Sequence, residues 1–191
     1  MELFTSRRDV HMTARFAKTL LCAVALGWAC AGWSVSAIGA TGSNVIALKS
    51  QDREFVTRAA EASWAEIAMG QLAQSSGRTD AVRQFGQRMV KDHTATMEGL
   101  ESITRKHGIT SVKEADPKHQ GDVNVLAKAT GAEFDRLYAG YMVTEHERTV
   151  QLFQRQAKSG ENAELRQFAA RQLPILQEHL SMARSLTAQR Q

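Results

Sequence analysis

Three histidines in this chain directly follow an acid: Asp92-His93, Glu145-His146 and Glu178-His179. Imidazole and carboxylate are the side chains that bind divalent transition metals and move protons near neutral pH, so these dipeptides point to a metal centre or a buried polar network. Each histidine also lies on an apolar stripe at helical spacing. Met89, Val90, Met97 and Leu100 surround His93; Met142, Val143, Val150 and Phe153 surround His146; Ile175, Leu176, Met182 and Leu186 surround His179. All three rings are therefore expected to face a helical core. There they would repel one another if protonated and waste hydrogen-bonding groups if neutral, whereas one cation satisfies all of them. Glu66, on a stripe with Phe55, Ala59, Ala62 and Ala73, offers a carboxylate from a further helix.

The candidate metal ligands are thus His93, His146 and His179, with Glu66, Glu145, Glu178 and Asp92. Neighbouring helical positions diverge by about 100°, so the acid and the histidine of one dipeptide cannot both aim at the axis. Either the acids flank the site and orient imidazoles of neighbouring helices, or they are ligands and the histidines sit deeper. Iron or manganese comes first as the metal, and the donors suit zinc or copper as well, as one or two ions. A redox-active ion would make metal oxidation or peroxide removal the first activity to assay. The rival reading is a metal-free structural or partner-binding protein, whose buried histidine and acid network fixes helix register.

The elements that must carry these residues are helices. From Asp52 onward apolar residues recur at three and four, with no sustained alternation of period two. The pattern predicts helices over 52–76, 80–107, 131–158 and 162–187. Thr79 and Asn162 are expected N-caps, and Thr130 with Glu133 forms a capping-box pattern. Gly77, Gly108 and Gly160 stand where a left-handed residue closes a helix. The connection after the second helix is about 23 residues, long enough to run the length of a helix, so the third helix is expected parallel to the second. Asp116-Pro117 within it predicts a short extra helix reaching about Lys128. The fold expected is an all-α antiparallel four-helix bundle with one long crossover. Glu54-Phe55 and Glu66 recur as Glu133-Phe134 and Glu145, while Ser76-Gly77 and Arg83-Gln84-Phe85 recur as Ser159-Gly160 and Arg166-Gln167-Phe168. The two helix pairs therefore read as copies, with an offset that grows from 79 to 83.

Residues 19–31 form an uncharged apolar run, preceded by Arg15 and Lys18 and followed by Val35-Ser36-Ala37. This is the pattern of a secretory signal peptide over 1–37, with Met12 as an alternative start. A flexible linker over 38–51, the bundle over 52–187 and a tail over 188–191 complete the expected organisation. Both cysteines, Cys22 and Cys30, fall in the leader, so the expected mature chain has neither a disulfide nor a Cys nucleophile. Removing 1–37 leaves 20 basic against 18 acidic residues, a balance that gives no basis for nucleic-acid binding. No nucleotide loop or G-x-S-x-G motif occurs. The expected location is the bacterial periplasm, with no stable membrane span after cleavage; nothing marks a subunit interface, and a dimer remains open. Tyr138 and Tyr141 read as core fillers, and His107 and His119 as surface residues.

The stretch from Glu54 to Leu186 resembles the bacterial domain of unknown function 4142 family, regarded as ferritin-like and often exported. The resemblance rests on Phe85-Gly86-Gln87-Arg88-Met89-Val90 with Asp92-His93, on Gly131-Ala132-Glu133-Phe134-Asp135 with Glu145-His146, and on Leu173-Pro174 with Gln177-Glu178-His179. It implies a four-helix fold and a metal centre, and no settled reaction; an envelope stress role is an expectation from the exported histidine and acid site, not from the resemblance. Di-iron ferritin-like proteins carry Glu-x-x-His on two helices. Here Val90, Val143 and Leu176 stand three residues before His93, His146 and His179, so no di-iron reaction is carried over.

Overall fold

The period of three and four resolves into five helices: α1 Ser50–Ser76, α2 Asp80–Lys106, α3 Pro117–Leu126, α4 Gly131–Ser159 and α5 Ala163–Ala188. The computed structural model describes residues 47–188, all within one compact unit, and no strand occurs among them. The fold is all-α. The leader with Cys22, Cys30 and the expected cleavage site lies outside the described residues, as does most of the linker. None of the described helices is long and apolar enough to cross a membrane. Leu48 already packs in the core, and α1 starts two residues ahead of the predicted boundary.

Contacts at the helix ends fix direction. Asp52 near the start of α1 meets Gln156 near the end of α4, so α1 and α4 are antiparallel. Thr96 of α2 bonds Gln172 of α5, and Lys106 meets Glu164, so α2 and α5 are antiparallel too. It follows that α4 runs in the direction of α2, as the length of the crossover predicted. The crossover is held along the way: α3 packs on α1 and α4, and the Trp64 indole donates to the Val112 carbonyl at 3.0 Å. Asp116 caps α3 through the amides of Lys118 and His119, with Pro117 at its first position.

The two halves match at a single offset of 83. Asp135 accepts from the Arg78 and Thr79 amides in the α1–α2 turn, and Asp52 accepts from the Glu161 and Asn162 amides in the α4–α5 turn. Arg83 donates to the carbonyls of Gly77 and Arg78, and Arg166 to those of Gly160 and Glu161. Each buried aspartate therefore closes the turn of the opposite hairpin. The 79-residue register of Glu54-Phe55 with Glu133-Phe134 is not the structural one. Glu66 corresponds to Thr149, and its spacing to Glu145 is one helical turn out of phase.

Capping follows the expectation at Thr79 and Asn162, whose side chains accept from Val82 and Leu165 amides. It departs at Thr130, which makes no side-chain cap; Glu133 turns instead to Arg136. Gly108 is left-handed as expected, at φ 64°. Gly77 and Gly160 are extended, because each chain reversal is closed by the remote aspartate rather than by a left-handed turn.

The apolar core comes in two parts. One joins Phe55, Leu100, Ile103, Phe153, Leu165 and Phe168 at one end; the other joins Met69, Phe85, Met89, Phe134, Tyr138 and Met142 at the other. Between the two clusters the buried side chains of α2, α4 and α5 are polar, among them His93, His146 and His179, and α1 adds Ser63 and Glu66 beside Ala62, Ala65 and Ile67. A buried polar layer thus divides the core at mid-length.

Candidate metal centre

All three histidines point into that layer, at 0–1% exposure. Their ring centroids are 5.3–5.7 Å apart, and one nitrogen from each ring lies within 4.8 Å of the others. His146 Nε2 and His179 Nδ1 are separated by 3.3 Å. Two nitrogens bound to one ion at about 2 Å stand about 3.3 Å apart at the tetrahedral angle.

The outer hydrogen bonds assign the tautomers. His146 Nδ1 donates to the Met142 carbonyl at 2.9 Å, which leaves Nε2 with a lone pair. His179 Nε2 donates to Asp92 Oδ2 at 2.9 Å, which leaves Nδ1 with a lone pair. The two lone pairs face each other. His93 places Nδ1 3.4 Å from Ser63 Oγ and 3.1 Å from Glu66 Oε2, while its Nε2 is buried with no hydrogen-bond partner.

A third ring proton would resolve the confrontation only by creating a buried imidazolium. Burial pushes the His146 pKa down to about 4, with His179 adding to the effect. Burial and the two neighbouring rings push His93 well below its ordinary value, and burial also lowers His179. All three rings are neutral at physiological pH, the protonation state that ligates metal.

Glu66 is 1% exposed, with oxygens 3.1 Å and 3.4 Å from the Nδ1 atoms of His93 and His146. Neither oxygen has a hydrogen-bond partner of good geometry. Burial raises its pKa to about 8, helped by Glu145 and opposed by His119. The layer therefore holds two unsatisfied carboxyl oxygens, one unsatisfied ring nitrogen and two opposed lone pairs. Buried polar groups are normally paired, and a cation discharges all of these at once.

The four acids separate in space. Glu66 is inside. Asp92 sits at the margin and orients His179 from the neighbouring helix; burial favours its protonation, but Arg88 and His179 outweigh that and hold it ionised. Glu178 is exposed and pairs with Arg88 at 3.0 Å. Glu145 turns to the crossover, where His119 bonds it at 3.1 Å and Arg148 at 2.6 Å. His119, expected at the surface, is instead sandwiched between Asp116 and Glu145. With a carboxylate on each nitrogen its pKa rises to about 8, Glu145 contributing most. Tyr138 is fully buried with an unpartnered hydroxyl, and burial near Glu66 raises its pKa.

Sequence reading missed Ser63 and Arg88. Both carried a local signal: Ser63 lies three residues before Glu66 on the same face, and Arg88 lies four before Asp92.

Comparison with known proteins adds a family and a fold. The profile of the family described as "Domain of unknown function (DUF4142)" matches residues 40–186. Among solved structures, the chain is similar to a DUF305 fragment from Deinococcus radiodurans, with a TM-score of 0.67 at 12% identity, covering 75% of this chain and 99% of that one. At that identity the likeness concerns the fold alone. No curated protein matches.

Proposed function

The chain belongs to the DUF4142 family, and on that footing we propose that it is an exported, ferritin-like four-helix-bundle protein that binds a transition-metal ion in its core. His93, His146 and His179 supply neutral imidazole nitrogens, and Glu66 supplies the carboxylate on the α1 side. Asp92 holds the His179 tautomer from outside, a device common at metal sites. Glu145 and Glu178 take no part in ligation. The observation that carries the reading is the pair of opposed lone pairs 3.3 Å apart on His146 and His179, each fixed by a hydrogen bond on the far side of its ring.

Three imidazoles and one carboxylate suit iron or manganese as well as zinc or copper. A redox-active ion would supply electron transfer to peroxide or to further metal. The polypeptide's part is to hold the imidazoles neutral, fix their orientation and keep bulk water away. The apolar run over residues 19–31 and the small residues behind it support export to the periplasm, where a stress-protective role is the one to assay.

Metal loading tests the proposal. Protein stripped with chelator and reloaded is expected to retain about one ion per chain after desalting, and His146→Ala to retain none. Equal loading of His146→Ala, or wild-type protein that retains no metal while folded, would overturn it and leave the metal-free polar network.

A further inference from the structure

The histidine layer is sealed from solvent, so an ion reaches it along a particular path. The candidate paths lie on opposite faces of the protein. On the α1–α4 face is a cleft of about 770 Å³ whose lining includes Ala62, His119, Glu145 and Arg148. Its floor is closed: Ala62 is 7% exposed, and Glu145 is tied down by His119, Arg148 and Lys118.

The α2–α5 face is different. Among the described residues that bond the three rings, Asp92 alone keeps appreciable solvent contact, its side chain 18% exposed. Its Oδ2 bonds His179 Nε2 directly, and the other nitrogen of that ring faces His146. One group stands over Asp92. Arg88 Nε bonds the same Oδ2 atom, and its Nη2 reaches across to Glu178 Oε2 on α5 at 3.0 Å. The guanidinium therefore bridges two carboxylates from different helices, one of them the carboxylate bonded to His179.

Resting on the metal-binding reading above, we infer that the α2–α5 face at Asp92 and Glu178 is the entry port for a divalent cation, and that Arg88 is the positioning residue that closes it. The carboxylates draw the incoming ion, and the bound guanidinium opposes it as an internal counter-ion. Displacing Arg88 leaves two facing carboxylates at the mouth and His179 immediately behind. Arg88 lies outside the buried core, its side chain 36% exposed, so its replacement chiefly changes the charge at the port.

Stopped-flow uptake of Co²⁺ by metal-free protein reads the port, through the visible bands of the bound ion. Arg88→Gln is expected to load about threefold faster or more at low salt, with the final stoichiometry unchanged, and Arg88→Lys to stay close to wild type. Arg148→Gln, on the opposite face, is expected to load at the wild-type rate. Wild-type kinetics in Arg88→Gln, or acceleration in Arg148→Gln, would overturn the assignment. A metal-independent arm is solvent exchange of the His179 Nε2 proton, the one donated to Asp92 beneath Arg88, followed by NMR. Arg88→Gln is expected to speed it, and an unchanged rate would overturn the port even if no cobalt binds. Absence of cobalt uptake by wild-type protein refutes the metal reading and not the port.

Discussion

Glu66→Gln is expected to make the metal-free protein more stable while weakening its hold on metal. A carboxyl group whose pKa is about 8 in the folded chain, against about 4.5 when unfolded, binds a proton on folding throughout that window. The folded state then carries the extra proton, so stability falls as pH rises from about 4.5 to about 8. At pH 7 the gap is about 2.5 pH units, or about 3 kcal/mol at about 1.4 kcal/mol per unit. Gln cannot ionise and avoids that cost. For a domain of this size the gain corresponds to a melting temperature about 6–12 °C higher at pH 7. At pH 5 the same arithmetic leaves under about 1 kcal/mol. Thermal unfolding of both proteins in chelator at the two pH values measures the difference directly, and repeating it with metal should favour the wild type, since binding adds stability only where affinity is retained. A Glu66→Gln protein that is destabilised equally at pH 5 and pH 7 would refute the reasoning, because Glu66 would then be a structural hydrogen-bonding group and not a buried ligand awaiting a cation.

The crossover should loosen in alkali. His119 has a raised pKa of about 8, so its stabilising bonds are complete below its ordinary value near 6.5 and are lost as pH rises through about 8. Hydrogen exchange over residues 108–130, corrected for intrinsic rates, should accelerate across that interval, and Glu145→Gln should flatten the dependence. Asp135→Ala strips the Arg78 and Thr79 amides of their acceptor and should cost about 2–3 kcal/mol in urea unfolding. Gly86→Ala brings a Cβ within 2.7 Å of the Gly70 carbonyl and of Ala73, where α2 lies close against α1. It should cost about 1–3 kcal/mol by the same assay.

Periodicity was enough to place the imidazoles. His93 lies between Met89 and Leu100, and His146 between Met142 and Val150, on stripes broad enough to fix the inward face. What periodicity could not decide was the fate of each acid, because that depends on long-range partners. Glu145 is drawn away by His119, 26 residues earlier on α3, and Glu178 by Arg88, 90 residues earlier on α2. The buried aspartates were missed for the same reason: Asp52 and Asp135 close turns 109 and 57 residues away, as partners of Glu161 and Arg78. Those remote caps also explain why Gly77 and Gly160 need no left-handed backbone. The matching of Glu66 with Glu145 illustrates a further limit. Helices tolerate a four-residue shift in pattern, so similar residues can align one turn out of register, and only tertiary partners such as the two aspartates reveal the true offset.

X-ray absorption on the metal-loaded protein addresses the coordination itself. The account predicts one ion with three imidazole nitrogens at about 2.0–2.1 Å and a carboxylate oxygen, and the loss of one imidazole contribution in His179→Ala. A loaded ion surrounded by oxygen alone, or a spectrum unchanged by His179→Ala, would contradict it.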